Sequence, residues 1–390
     1  MIKIELDDTL RDEIEKIHWN WFFCRLRKKC EWNTKINYFK YLTKHVIFLT
    51  PTEQLLGKEE KIKIIYQRLR CLIVGNEKNI LRTSLGEKID FSFFERMNNV
   101  IEKGRKIRGR KNETPKSLLR RQRESSCKTA RYNRLYEIFG YDDFSKASKN
   151  DATWYNKNKF WYDVFLLKNN NMDWNIKCFC EKLQIDVCPY CNRQYIYTYE
   201  KNLLKRNTAE IDHFRPKSKY PYLSCSLFNL VPACHTCNSV KLAVDEKKII
   251  YPYTECFGEN GKFQIQRGSS QELEIPINVR KIKVNIKIVE HAGCVLNSKI
   301  EASKKVFHLE EIYTKHQLDV CDLLFRYNRY GKMKIKDVAN TLDIPELAVK
   351  KIILGIPIRI DKKKEFVLHK FKKDVIDQLD EINKNKCNNE

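Results

Sequence analysis

Two Cys-x-x-Cys pairs stand in the middle of the chain, Cys188-Pro-Tyr-Cys191 and Cys234-His-Thr-Cys237. Four thiolates at that spacing can close a tetrahedral zinc site with no coordination position left open, which marks structural and not catalytic zinc. A metal that closes so long a loop constrains everything between the pairs, and structural zinc binds with roughly 10–16 kcal/mol of apparent free energy. The ion is expected to serve as a local core. Cys178 and Cys180, one residue apart, read as packing residues, and Cys225 as a substitute ligand at most.

The rest of the chain is that of a globular protein. Its 390 residues are 42% hydrophobic and 32% charged, enough for two or three domains with a sizeable core. Lys and Arg total 75 against 50 Asp and Glu, a net charge of +25, so the summed field attracts polyanions, with nucleic acid the first candidate. Charge alone is equally consistent with a solvated, Lys-rich surface, and it is the cysteine-bracketed segment that favours nucleic acid. No stretch approaches the ~20 apolar residues that span a bilayer. The opening Met1-Ile-Lys-Ile-Glu-Leu lacks the basic-then-apolar order of a signal peptide, so a cytoplasmic protein is expected. An odd count of 15 cysteines fits that reducing setting, with some thiols on metal and no disulfides.

Four regions follow from the pattern. Residues 1–102 read as a helical N-terminal domain: Leu10, Ile14, Ile17, Trp21 and Phe22 recur at helical steps, as do Ile62, Ile65, Leu69 and Leu72. The aromatic crowding from His18 to Phe23 at that spacing reads as core packing and not as a base-stacking platform. Residues 103–180 read as a basic linker and helical region, opening on Lys103-Gly-Arg-Lys-Ile-Arg-Gly-Arg-Lys111 and continuing through Arg120-Arg-Gln-Arg123. That run is either a solvated joint or a strap that contacts phosphates without reading sequence. Residues 181–250 form the cysteine-bracketed core, with strands expected at Tyr195, Tyr197 and Tyr199 and at Ala209 to Asp212, and a helix from Cys234 to Leu242. Residues 251–390 read as a mixed α/β region, with strands at 262–266 and 279–289 and a helical period from Leu309 to Phe325. Within it, Lys334 to Gly355 has the outline of a helix-turn-helix, although short helical hairpins are common and only Lys350 and Lys351 would face a groove.

Between the cysteine pairs lie Ile211-Asp212-His213-Phe214-Arg215-Pro216 and Phe228-Asn229-Leu230, and the second pair runs on into Asn238-Ser-Val-Lys241. In order and spacing, Asp212-His213, Asn229 and Asn238 resemble the HNH nuclease motif in its Asn-ending form, within the ββα-metal superfamily, over about 188–243. The resemblance implies an α+β protein, a mostly helical chain with a central ββα-metal nuclease core stapled by a four-cysteine zinc site. Phe307-His-Leu-Glu-Glu-Ile-Tyr313 and Phe371-Lys-Lys-Asp-Val-Ile-Asp-Gln-Leu379 are in addition similar to stretches of bacterial HNH proteins of anti-phage systems, including retron-linked ones.

The residue types suit phosphodiester hydrolysis. A histidine with an ordinary pKa of ~6.5 can be neutral near pH 7, so His213 is the candidate base that takes a proton from attacking water. Asp212 and Asn238 offer the hard oxygen ligands that Mg²⁺ or Mn²⁺ prefer. In the family's arrangement Asn229 orients the loop and the imidazole through backbone hydrogen bonds. Arg215, Lys217, Lys219 and Lys241 stand close enough in sequence to contact flanking phosphates. His235, inside the second cysteine pair, is an exposed or supporting group by this reading, with Asn238 the ligand.

The expectation is thus a metal-dependent HNH endonuclease acting on DNA, the nuclease effector of a bacterial anti-phage defence system, with structural Zn²⁺ and catalytic Mg²⁺ or Mn²⁺. Control by a partner protein encoded nearby is expected, since an unregulated sequence-tolerant nuclease would damage its own genome. Two alternatives stay open: a zinc-stabilised nucleic-acid-binding module without catalysis, and an RNA or tRNA nuclease, because phosphate contacts alone do not exclude a ribose hydroxyl.

Overall fold

The computed structural model describes residues 1–29, 52–75, 114, 117, 174–201, 204–216, 223–242, 244, 248–267, 282–289, 294–330, 332–356 and 366–387. The basic run from 103 to 134 falls outside them, apart from Thr114 and Ser117. The chain forms two compact units, and both are discontinuous in sequence. The first joins Met1–Glu5, Gln184–Glu210 and Pro232–Glu390, and the second joins Leu6–Leu183 and Ile211–Val231. The chain therefore crosses between units three times within 181–250.

Among the described residues, helices with three two-stranded sheets make the architecture α+β. In the second unit α1 (Asp8–Lys29) opens where Asp7 Oδ1 accepts the Leu10 amide at 2.7 Å, satisfying one of the orphan donors of the first turn. Its buried face is Ile14, His18, Trp19, Phe22 and Phe23. Ile17 and Trp21, expected on that face, are only half-buried, so the stripe is rotated toward the aromatic residues. Trp19 stacks on Phe23 at 5.5 Å and donates through Nε1 to the Tyr66 hydroxyl of α2 (Lys58–Val74) at 2.9 Å. The crowded aromatics are core, as read from their spacing, each buried ring contributing roughly 1.5–3 kcal/mol. α3 (Ile176–Leu183) follows, capped by Asn175, whose Oδ1 accepts the Lys177 amide at 2.8 Å.

The middle of the chain carries β1 (Thr198–Lys201) paired antiparallel with β2 (Leu204–Asn207), then β3 (Glu210–His213) paired with β4 (Leu230–Ala233), then α4 (His235–Lys241). Tyr195 lies before β1 and bridges Val187, so the expected tyrosine strand starts three residues late.

The first unit is built on the hairpin of β5 (Gly261–Arg267) and β6 (Ile282–Ile288), with Phe263, Ile265, Val284 and Ile286 buried at alternate positions. A two-stranded sheet has two open edges, and here a helix covers each. On the β5 edge, Asp374 and Gln378 of α10 (His369–Cys387) accept the Phe263 and Ile265 amides at 2.9 and 3.0 Å. On the β6 edge, Glu310 and Thr314 of α6 (Leu309–Thr314) accept the Ile286 and Val284 amides at 2.7 and 3.1 Å. The match is geometric: four helical residues advance about 6 Å and two strand residues about 6.6 Å, so side chains at i and i+4 meet amides at j and j+2. Strand edges that would template aggregation are closed this way.

α5 (Cys294–Val306) precedes α6, and α7 (Gln317–Arg329) follows it. The single helical run expected from Leu309 to Phe325 is two helices. Lys315 and His316 bond back three residues, to Ile312 and Tyr313, which tightens the last turn and ends α6 with no Gly or Pro to announce it. α8 (Lys332–Leu342) and α9 (Glu346–Ile353) form the expected helical hairpin. Lys350, one of its two candidate groove lysines, instead pairs with Asp380 at 2.6 Å and lies over the Tyr327 ring. No described helix is long and apolar enough to cross a membrane.

Candidate metal centre and the histidine loop

The four predicted cysteines come together. Cys188, Cys191, Cys234 and Cys237 are all buried, and their Sγ atoms lie within 4.8 Å of one another, with Cys191 and Cys234 3.9 Å apart. Ligands at about 2.3 Å from a tetrahedral zinc would stand about 3.8 Å apart, so the cluster needs little movement to close on an ion. Two local structures hold the sulfurs. Around the first pair, the Cys188 amide donates to Gln194 O and the Asn192 amide to Cys188 O. This turn is completed by Asn192 at φ 51°, a left-handed conformation that Asn tolerates. The Arg193 amide points at Cys191 Sγ, 3.4 Å away. Around the second pair, Cys234 caps α4 and Cys237 sits within its first turn, with the Asn238 amide donating to Cys234 O at 3.0 Å.

The cluster's electrostatics test the fit of a cation. Burial pushes the Cys188 thiol well above its ordinary range, and hydrogen bonding with the other sulfurs, Cys188 first, pushes Cys237 up. The hydrogen bond from Cys188, with others from the cluster, holds Cys191 and Cys234 below theirs. Four thiolates cannot share an apolar pocket without a neutralising ion. A soft divalent metal such as zinc fits this donor set and would take all four as thiolates.

Residues that the motif does not contain support the first pair. The Tyr313 hydroxyl donates to Cys191 O at 2.6 Å, Tyr190 stacks on Phe307 at 4.7 Å, and the Leu368 amide donates to Asn192 O at 2.7 Å. The two C-terminal stretches singled out in the sequence thus contain three of the four sheet-edge acceptors, Glu310, Asp374 and Gln378, and two residues of the buttress, Phe307 and Tyr313. Cys225 is buried apart from the cluster, as a packing residue.

In the second unit, β3 leads into a loop that closes through 223–229. The His213 ring approaches Ser224 O through Nε2 at 3.0 Å. A carbonyl has no proton to give, so Nε2 carries the hydrogen and the neutral ring keeps Nδ1 as its basic nitrogen. Asn229 ties the loop shut: its Oδ1 accepts the Arg215 amide at 2.7 Å, and its Nδ2 donates to Arg215 O at 3.1 Å and to Leu223 O at 3.0 Å. The Phe214 amide donates to Asn229 O at 2.9 Å. Asn229 therefore anchors both flanks of the imidazole. Asp212 is buried beside His213 in the same strand.

Asn238 belongs to the first unit. Its Nδ2 donates to Glu210 Oε2 at 2.7 Å, which turns the amide oxygen away from the carboxylate, and the same carboxylate holds His235 Nδ1 at 2.7 Å. These contacts, the Asn238 amide first, hold the Glu210 carboxyl below its usual range. The His235 side chain is otherwise 80% exposed, as expected. Glu210 escaped the sequence reading, although it stands two residues before Asp212 on a strand whose alternation is visible. Among the expected phosphate contacts, Lys217 and Lys219 lie outside the described residues. Lys241 is 0% exposed at the end of α4, so it is not a surface contact, and Arg215 is half-buried.

Comparisons with protein-family models, curated proteins and solved structures return no match to this chain. The site therefore rests on its own geometry.

Proposed function

We propose that the chain is a metal-dependent endonuclease of the HNH kind, hydrolysing phosphodiester bonds in DNA, with zinc on the four cysteines. The observation that carries the reading is the His213 ring, donating through Nε2 to Ser224 O at 3.0 Å and so left with a basic Nδ1. In this reading Nδ1 takes the proton of a water as its oxygen attacks phosphorus, and the bond from phosphorus to the leaving oxygen breaks. Asn229 keeps the ring oriented through its three side-chain hydrogen bonds. Asp212, buried in the same strand as the base, would offer a hard oxygen to Mg²⁺ or Mn²⁺, which when bound supplies charge neutralisation at the phosphate and the departing oxygen. The strand, strand and helix of β3, β4 and α4 follow one another in the order this superfamily uses, which supports the reading. The +25 charge supports a polyanionic substrate. A role in anti-phage defence, with a partner from the same operon, is proposed from the likeness of the two C-terminal stretches.

The test is plasmid nicking with Mg²⁺ or Mn²⁺ by wild type and His213→Ala, with the zinc content of both measured. Cutting by wild type alone at equal zinc supports the nuclease. Equal cutting removes His213 from the mechanism, and DNA binding without cutting by either leaves a zinc-stabilised binding module. Cleavage of labelled RNA but not duplex DNA would move the substrate to RNA.

A further inference from the structure

Three consecutive carbonyls of one buried segment are each held by a side chain from a different part of the second unit. Leu223 O accepts from Asn229 at 3.0 Å, Ser224 O from His213 at 3.0 Å, and Cys225 O from Nε2 of His18 at 2.7 Å. The first two belong to the motif. His18 does not: it comes from α1, about two hundred residues earlier, and its side chain is 0% exposed.

Its chemistry is fully determined. Nδ1 of His18 lies 3.0 Å from Trp174 Nε1, and an indole nitrogen can only donate, so Nδ1 accepts and Nε2 carries the proton that Cys225 O receives. Burial lowers the His18 pKa to about 4, which keeps the ring neutral and this arrangement intact near pH 7. An apolar residue would fill the same core position without the cost of burying a polar ring, but it would leave the Cys225 carbonyl without this donor. Peptide units are rigid planes joined at single Cα atoms, so fixing the Cys225 carbonyl restricts the Ser224 carbonyl next to it.

We propose that His18 is a positioning residue for His213: from the buried face of α1 it pins Cys225 O, and thereby keeps Ser224 O in place against Nε2 of the base. This inference rests on the nuclease reading for its effect on catalysis, but its structural half does not. The N-terminal helix, otherwise plain core, then sets the geometry of the imidazole.

The experiment uses the full-length, zinc-loaded protein labelled with ¹⁵N-histidine, and reads the protonation of the His213 ring nitrogens together with cleavage kinetics. Wild type is expected to show His213 in a single Nε2–H tautomer. His18→Phe is expected to give a mixture of tautomers at His213 and to lower kcat about tenfold, with KM for DNA within about twofold. His18→Gln, whose amide keeps a donor for Cys225 O, is expected to retain the single tautomer and most of kcat. Should His18→Phe fail to fold, Trp174→Phe removes the N–H that selects the His18 tautomer and is expected to shift the His213 spectrum in the same direction. A single, unchanged His213 tautomer in the variant measured overturns the proposal, as does equal loss of kcat in His18→Phe and His18→Gln. A wild type that cuts no nucleic acid with any divalent metal defeats the nuclease reading, while the nitrogen spectra still decide the role of His18.

Discussion

The Tyr313 hydroxyl donates to the backbone carbonyl of Cys191 at 2.6 Å, linking α6 to the turn that presents half of the sulfur cluster. Both groups are buried, and burial pushes the Tyr313 pKa well above its ordinary value, so the phenol keeps its proton and remains a donor. Tyr313→Phe leaves that carbonyl without its partner at a cost of about 1–3 kcal/mol. The expected result is a lower melting temperature and faster transfer of zinc to a chromogenic chelator. Release at the wild-type rate would show that the turn is held without the phenol.

Metal removal should act on the first unit above all, because the cysteine cluster and its buttresses belong to it. Binding free energy on the order of 10 kcal/mol is also folding free energy at such a site. Prolonged chelation, or Cys191→Ser, is expected to abolish stoichiometric metal binding and to raise hydrogen exchange at the amides of Asn192 and Arg193. Unchanged exchange in the metal-free protein would refute a structural role for the ion.

His18 makes stability depend on pH. Its pKa falls from 6.5 to about 4 on folding, chiefly through desolvation, so between those values the unfolded chain binds more protons than the native one. The contribution is present in full above about pH 6.5 and is lost as pH falls toward 4, about 3 kcal/mol in all. Denaturant melts across that window should show it, and His18→Gln should flatten this part of the profile. A variant profile parallel to wild type would locate the dependence elsewhere.

Asn229→Ala removes three side-chain hydrogen bonds, at about 1 kcal/mol each. Exchange at the Arg215 amide should accelerate strongly, and cleavage should fall without loss of zinc. Asn229→Asp keeps the acceptor for that amide but loses both donated bonds, so it should protect Arg215 more than Ala does.

For a chain of net charge +25, DNA affinity should drop by about 10³ or more between 50 and 200 mM salt if six or more phosphates are neutralised. Filter binding across that range measures the slope. A flat response would mean that the charge is spread over surface that does not meet phosphate.

Much of the cysteine centre was legible in advance. Cys-x-x-Cys spacing is a local property, and a metal demands those four sulfurs whatever the rest of the chain does. The helix after Cys234 was legible as well. Periodicity also located β5, β6 and the hairpin of α8 and α9. It misjudged the face of α1, where aromatic bulk outweighs strict spacing, and the break after Thr314, which is made by backbone hydrogen bonds that leave no compositional mark.

By itself, then, the sequence determined the four sulfur donors, because ligand chemistry and short-range spacing are written residue by residue. Only tertiary structure decided the supporting contacts: Tyr313 on Cys191, Glu210 on Asn238, His18 on the carbonyl beside the one that holds His213, and Lys241 turned inward and not toward solvent. Each of the first three joins residues far apart in the chain, and which distant donor reaches a buried acceptor depends on how helices and strands pack. Local periodicity carries no information about that.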